Sequence, residues 1–493
     1  MINADRVFEG VAISEVHGEI PGAFRSLTCD SRQVEGGSLF VALRGAASDG
    51  HDYLDQVGRD GAVAAIVDHF CDCSLKNQIV VDNTLASLSR VAANFYDHPA
   101  RLLKVFGITG SNGKTTTAFL LESILKTAER DTALIGTIEY RYGDKQISAP
   151  NTTPLPHDMQ RILREIADAG IQNVVMEVSS HGLALHRVDE IKFGVALFTN
   201  LSQDHLDFHK DMSHYRETKK RLFTDYMTDD GVGVFNFDDE TGRQYFDEVQ
   251  LERKISFAIN RNADFRARDV DIRLSGSTFT LETHFGDHFP IHTQMVGRHN
   301  VANILAAVSA AWAGGVPLDL IRKGIELMPA VPGRLESIPN GIGAQVVVDY
   351  CHTPDALEKC LHALIAIPHN RIITLFGCGG DRDKGKRPMM GEIALRFSDH
   401  VIVASDNPRT EDPDMIIKNI EAGMTAGKEK YDVISNRKEA IKAGVAELKE
   451  GDIFLVAGKG HETYQIIGRE KTPFDDREIT IAFLNEAGKG VKG

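Results

Sequence analysis

Long apolar runs are missing from this chain. Across 493 residues, nothing approaches the roughly 18 consecutive apolar residues of a membrane span, so an integral membrane protein is not expected. The opening residues Met1-Ile2-Asn3-Ala4-Asp5-Arg6 lack a basic region followed by an apolar one, so no signal peptide is expected either. Cysteine is sparse. There are six, and the only close pair, Cys71 and Cys73, has neither a CxxC spacing nor a Cys/His quartet around it. That argues against zinc and against a disulfide framework, and for reduced thiols in a cytoplasm. Positive charge is also short. With 55 Lys and Arg against 70 Asp and Glu, the formal net charge is −15. Nucleic acid or an anionic membrane is therefore not expected as the main partner, although a small anionic substrate could still meet a locally basic site. Internal repeats and low-complexity segments are absent as well.

What is present is globular composition, 42% apolar and 25% charged, in a chain long enough for about three domains. Residues 1–98 mix short strands and helices, with strands expected at Ser38–Leu43, Ala64–Val67 and Gln78–Val81. Asp97-His98-Pro99-Ala100 reads as a linker, because Pro99 disfavours a helical His98. Residues 99–331 alternate strands with helices, which implies a largely parallel sheet covered on both faces. A β-rich stretch near 250–292 is expected to extend it antiparallel, and Asn300–Ala313 reads as an Ala-rich helix. Pro329 and Pro332 bracket a second linker. In residues 332–493 four apolar strands, Val346–Val348, Ile372–Phe376, Val401–Val403 and Ile453–Val456, each run into a polar or glycine loop. Those loops hold Asp349, His352, Arg382, Asp406, Asn407, Arg409, Lys459 and Glu462. Open parallel sheets bind ligands at the carboxyl ends of their strands, so this reads as a binding lobe.

One stretch carries a specific chemistry. After the apolar Val105-Phe106 comes Gly107-Ile108-Thr109-Gly110-Ser111-Asn112-Gly113-Lys114-Thr115-Thr116, then Phe119, Leu120, Ile124 and Leu125 at helical spacing. A strand, a glycine turn and Lys-Thr at a helix start form a cradle for a nucleoside triphosphate. Backbone N–H groups and the helix N-terminus meet the phosphates, Lys114 reaches the β- and γ-phosphates, and Thr115 offers its hydroxyl to Mg2+. The spacing is G-x-x-G-x-x-G-K-T rather than the common one, which points to a subgroup.

Other constellations are less specific. Glu177 ends the strand Asn173–Val178 and is placed to hold Mg2+. Asp204-His205-Leu206-Asp207-Phe208-His209 packs possible ligands into six residues, and His205 and His209 would share a helix face. Mg2+ prefers oxygen, so a histidine there would be secondary. Lys219-Lys220-Arg221 reads by composition as a solvated basic face. Arg409, after the rigid Asp406-Asn407-Pro408 turn, could fork onto a carboxylate or simply brace the turn.

Taken in order, these motifs resemble the Mur ligases, ATP-dependent amide-forming enzymes of peptidoglycan precursor synthesis. The likeness runs through Gly110–Thr116, Met176–His181, Asn200–His209, His299-Asn300 with Asn303, Gly333-Arg334 and Asp349 with His352–Asp355. It implies a three-domain α/β architecture: a UDP-substrate domain over 1–98, a central P-loop ATPase-like domain built on a parallel sheet over 99–331, and a C-terminal Rossmann-like lobe for the amino acid over 332–493. Thr28–Arg32, Asn151–Pro154, Gly377–Gly385 and Ala457–Glu462 resemble the branch that adds the third peptide residue to UDP-N-acetylmuramoyl-L-alanyl-D-glutamate. Asp406-Asn407-Pro408-Arg409 is similar to the motif of its meso-diaminopimelate-adding members.

The resemblance implies roles residue by residue. Gly110, Ser111, Asn112, Gly113, Lys114, Thr115 and Thr116 would bind the ATP phosphates, with Asn303, Arg334 and Asp349 contacting the nucleotide across the cleft. Lys114, Glu177, His205 and Lys219 would stand at the reacting centre, and Thr115, Glu177, Lys219 and His205 around Mg2+. Lys219 aligns with a carbamylated lysine, which overturns the solvated reading. Ser31 would lie by the uridine, while Asn151, Thr152, Thr153, Ser179 and Arg187 would hold the muramoyl dipeptide. Arg382, Asp406, Asn407, Pro408, Arg409, Gly458 and Glu462 would hold diaminopimelate. Some relatives carry a substrate-contacting Gln two residues before Arg187; here it is Leu185. The implied protein is a cytoplasmic monomer. Two alternatives remain at this stage: a lysine-adding ligase, and a P-loop nucleotide switch.

Overall fold

The computed structural model describes residues 1–45, 48–273, 276–328, 331–425 and 427–491. Pro329 of the expected linker lies outside them. Among the described residues three large sheets, each with helices against it, follow one another along the chain. The first has five strands in the order Glu15–His17, Gln78–Val80, Ala62–Val67, Ser38–Val41, Ser26–Thr28. All its pairings are parallel except the first. Asp97 and His98 then turn with φ of 65° and 45°, and Pro99 opens a short 3-10 segment. His98 is thus kept out of the right-handed helix, as its place before a proline requires.

The second sheet has eleven strands. The strand Lys104–Thr109, which leads into the glycine turn, lies between Asn173–Glu177 and Phe193–Phe198, parallel to both. Side-chain alternation serves two cores: Phe106 and Ile108 join the cluster under the helices Lys114–Thr127 and Arg298–Ala313, while Val105 joins the one on the opposite face. Parallel pairing runs from Thr132–Ile135 to Phe265–Arg273, and hairpins at both edges are antiparallel. The stretch near 250–292 is therefore mixed: Arg253–Ala258 and Phe265–Arg273 continue the parallel part, and only the two strands after them fold back.

The third sheet has six strands, in the order Glu336–Ile338, Gln345–Asp349, Ile453–Ala457, Ile372–Phe376, His400–Val403, Tyr431–Val433. All but the first pairing are parallel, so the four expected apolar strands deliver their loops to one edge. A buried ion pair ties this lobe together. Arg437 donates to Asp476 through two bonds of 2.8 and 2.7 Å, and to the carbonyl of Ala457 at 2.9 Å. Removing one partner of such a pair costs about 3–5 kcal/mol, because the other charge is stranded. No described helix is long and apolar enough to cross a membrane.

Candidate active site

The glycine turn is shaped by what stands around it. Gly110 has φ 148° and Gly113 φ 87°. A Cβ on Gly110 would come 1.9 Å from Thr199 Oγ1, and one on Gly113 would come 2.3 Å from Asn303 Oδ1. Only glycine fits, so the backbone can close into a ring of N–H groups. Asn200 clamps Asn112 from both sides, accepting from its N–H at 3.0 Å and donating to its carbonyl at 3.0 Å. Ser111 Oγ donates to Ser202 O at 3.0 Å, and Thr116 follows, buried, in the first turn of the helix.

Two lysines converge on this turn. Lys114 Nζ donates to the carbonyls of Gly110 and Ser111, both at 2.9 Å, and Lys219 Nζ donates to the same Gly110 carbonyl at 3.0 Å. Lys219 is 1% exposed, against the expectation from composition of a solvated face. Burial first, then the charge on Lys114, push its amine well below the ordinary lysine value, with Asp204 opposing.

An oxygen-rich cluster lies beside them. Thr115 Oγ1 donates to Glu177 Oε2 at 3.0 Å, and Thr137 binds the same carboxylate through its N–H at 2.8 Å and its hydroxyl at 2.9 Å. A buried carboxylate flanked by hydroxyls suits a hard cation such as Mg2+. His205 joins differently. The segment from Asp204 is a turn rather than a helix, with His205 at φ 55° and His209 N–H reaching back to its carbonyl at 2.9 Å. The left-handed residue breaks the shared helix face expected of His205 and His209. His205 Nε2 lies 3.4 Å from Asp204 Oδ2, its ring packs edge-on to His181, and no hydrogen bond among the described residues links it to Thr115 or Glu177.

Across the cleft, Arg334 Nη2 reaches Thr115 Oγ1 at 3.4 Å and its guanidinium lies over the ring of Tyr350. Its buried Nε has no hydrogen-bond partner among the described residues. Asp349 accepts from Leu335 and Cys351 N–H groups at 2.6 and 2.7 Å, and burial raises its carboxyl. Asn303 donates to Asn300 at 3.2 Å. A narrow cleft lined by Thr116, Met295, Val296, Asn300, Arg334 and Leu335 opens here. Two further contacts bridge the lobes, Asn112 to Asp355 at 2.7 Å and Lys386 to Asp204 at 3.9 Å.

A third group forms near the strand end at Glu177. Thr153 Oγ1 donates to the Glu177 carbonyl at 3.0 Å and accepts from Ser179 N–H at 3.0 Å. Arg187 Nη1 donates to Thr153 O at 2.8 Å, and Thr152 meets Thr137 at 3.1 Å. The carbonyl of Asn151 accepts from Tyr140. Among the described residues Arg187 has no ion-pair partner, and its buried Nε has no hydrogen bond, which leaves it a ready receptor for a carboxylate. Leu185 caps the short helix Ser180–Ala184. Ser31 stands apart in the first lobe, opening a 3-10 turn capped by Asp30.

The fourth group sits at the carboxyl edge of the third sheet. Arg409 has φ 51°; its Nη1 donates to Gly380 O at 2.8 Å, and Arg382 is near enough to lower its pKa further after burial. Asp406 and Glu462 lie opposite, and Asn407 Nδ2 donates to Glu462 at 2.8 Å. Pro408 is buried in the turn, and Gly458 N–H donates to Asp349 O at 3.0 Å, joining this group to the cleft. The turn is braced by Arg387, which grips Glu411 with bonds of 3.0 and 2.8 Å. Those bonds hold the Glu411 carboxyl down to about 2, from an ordinary 4.5. A depressed carboxyl stabilises the fold above its unfolded pKa and loses that contribution as pH falls through the folded one. Glu411→Gln is therefore expected to melt several degrees below wild type at neutral pH. The gap should narrow between pH 4.5 and about 2, and calorimetry across that range checks it.

Thr137, Lys386 and Lys459 are the site residues that the motifs did not single out for a role. Thr137 carries no sequence signal of its own; it reaches Glu177 because the strands Thr132–Ile135 and Asn173–Glu177 are paired.

The fold and the site together define a three-lobed α/β ligase. The chain belongs to the Mur ligase family: residues 23–96 match the family model described as "Mur ligase family, catalytic domain", residues 108–311 "Mur ligase middle domain", and residues 333–460 "Mur ligase, glutamate ligase domain". A relative from Geobacter metallireducens, named UDP-N-acetylmuramoyl-L-alanyl-D-glutamate--2,6-diaminopimelate ligase, is 46% identical, with 97% of each chain covered. One of the same name from Geobacter sulfurreducens is 45% identical, with 98% of each covered. A solved structure of a protein with that name has a TM-score of 0.67 at 30% identity, covering 99% of both chains.

Proposed function

We propose that this chain is an ATP-dependent ligase that joins meso-2,6-diaminopimelate to UDP-N-acetylmuramoyl-L-alanyl-D-glutamate, forming ADP and phosphate in peptidoglycan precursor synthesis. The observation that carries the reading is the group at the third sheet, where Asp406 and Glu462 act on Arg409 together with Arg382. That is the complement of a side chain ending in both an ammonium and a carboxylate. The names of the full-length relatives support it.

The γ-carboxylate of the D-glutamyl residue attacks the γ-phosphorus of ATP, ADP leaves, and the diaminopimelate amine displaces phosphate from the acyl phosphate. Arg187, Thr153, Ser179, Asn151 and Thr152 hold the dipeptide so that its carboxylate meets the phosphate. Ser31 lies by the uridine. Lys114 offsets the repulsion between two anions, and Asn303, Arg334 and Asp349 hold the nucleotide across the cleft; positioning and electrostatics supply most of the catalysis. Thr115, Glu177, a carbamate on Lys219 and, secondarily, His205 would hold Mg2+, which would supply further positive charge there. Lys219 acquires the carbamate when its neutral amine attacks the carbon of carbon dioxide and releases a proton. Closure of the third lobe over the second, through contacts such as Asn112 to Asp355, excludes water from the acyl phosphate. The reading gives residues 1–98 the UDP moiety, 99–331 the ATP and 332–493 the amino acid, in line with three separate sheets. The reading takes the chain to act as a monomer, as the family resemblance implies. ATP and a UDP-linked sugar are cytoplasmic solutes, which supports that location.

A panel of free amino acids scored by amide product tests the assignment. Diaminopimelate should be strongly preferred to lysine, and phosphate release should require both the amino acid and the UDP-linked substrate. A nucleotide switch would instead hydrolyse slowly without either. Arg409→Ala should raise the KM for diaminopimelate by about ten- to a hundredfold, the worth of a hydrogen bond to a charged group, and shrink the preference. Wild-type enzyme that ligates lysine equally well would refute the specificity and leave the ligase intact.

A further inference from the structure

Lys459 has no role in the account above, yet it is the most enclosed cation of the amino-acid pocket. Its side chain is 0% exposed. Nζ donates to Glu462 Oε2 at 2.9 Å and to Asn407 Oδ1 at 3.2 Å, and it stands 5.5 Å from the centre of the Tyr464 ring. Asn407 closes the triangle by donating to the same Glu462 Oε2 at 2.8 Å. Both bonds fall on one oxygen. Glu462 Oε1 takes part in no hydrogen bond among the described residues, so anchoring Oε2 aims Oε1 at the pocket.

The charges make a second, independent point. Arg382, Arg409 and Lys459 act on the same space as the carboxylates Asp406 and Glu462. Without Lys459 the two signs balance. With it the pocket is positive by one charge. A buried cation is costly to desolvate, and a structural need for packing alone would be met as well by an apolar side chain.

We propose that Lys459 is a positioning and specificity-determining residue for the amino acid. It fixes Glu462 to receive an ammonium group. It also leaves the pocket a surplus positive charge, which repels a side chain ending in ammonium alone and spares one whose ammonium is balanced by a carboxylate. The proposal rests on the ligase reading above.

The test compares wild type, Lys459→Met and Lys459→Arg, measuring KM and kcat for diaminopimelate, lysine, ATP and the UDP-linked substrate, with folding followed by circular dichroism. In Lys459→Met the diaminopimelate KM should rise about ten- to a hundredfold and the preference over lysine should fall by a similar factor. The ATP and UDP-substrate KM values should stay within about twofold, since those sites lie on other elements and a general disturbance would move all of them together. Lys459→Arg should keep most of the preference. Wild type that makes no amide from diaminopimelate overturns the ligase reading and this proposal with it. If wild type does make it, an unchanged preference in Lys459→Met, or Michaelis constants that move together, overturns the proposal alone. Should Lys459→Met not fold, a folded Lys459→Arg that has lost the preference overturns it instead.

Discussion

Lys114→Ala is expected to abolish ligation, by about three orders of magnitude or more, while the protein stays folded. The proposed reading asks one amine to neutralise charge where a carboxylate and a triphosphate must touch. Losing a preorganised stabiliser of that kind costs roughly 10²–10³ in kcat in the absence of water to replace it. Weaker ATP binding adds to the loss. Stability should move little, because Lys114 is only partly buried and the Gly110 carbonyl keeps a donor in Lys219. Phosphate release and amide product, measured together, decide the matter, with a melting curve as control. Near-normal turnover would sink the assignment of Gly110–Thr116 as the phosphate cradle.

What the sequence disclosed follows the distance over which each feature acts. The cradle is legible because everything it needs is local: a strand, a turn where only glycine fits, and a helix start, all within about ten residues. The parallel third sheet is legible for a similar reason, since each apolar strand runs directly into its functional loop. Where residues come together through pairing or packing, the signal fades. Thr137 has no pattern around it and matters only because its strand lies beside Asn173–Glu177. His205 was expected on a helix, but a single left-handed residue turns the segment, and i, i+4 spacing cannot distinguish the two. Lys219 is the instructive case. Composition sets it among Lys220 and Arg221 as part of a basic face. Yet the buried positions of its helix are Tyr215, Thr218, Lys219, Leu222 and Phe223, the i, i+3, i+4, i+7, i+8 stripe of a core-facing surface. Reading periodicity before charge would have placed Lys219 inside and Lys220 out.

That placement carries the remaining prediction. Lys219→Ala should lose most activity yet still bind ATP, because the proposed reading gives the phosphates to the turn and Lys114 rather than to Lys219. An unmodified ammonium at this position is poorly explained. It is buried and close to Lys114, and it has no ion-pair partner among the described residues, only the Gly110 carbonyl and the face of Tyr215. A neutral amine avoids the like-charge repulsion and is the form that attacks carbon dioxide. A carbamate there would replace a second cation with an anion beside Lys114 and would add an oxygen donor to those proposed for Mg2+. Two measurements follow. Labelled bicarbonate should give a carbamate resonance in wild type that is missing in Lys219→Ala, and short carboxylic acids should restore part of the variant's turnover by occupying the space the carbamate leaves. Lys220 is bound to Glu217 and Glu248 on the outside of the helix, so Lys220→Ala should retain wild-type activity. An inactive Lys220→Ala beside an active Lys219→Ala would show that the reacting lysine is the neighbour, and that the burial of Lys219 serves the fold alone.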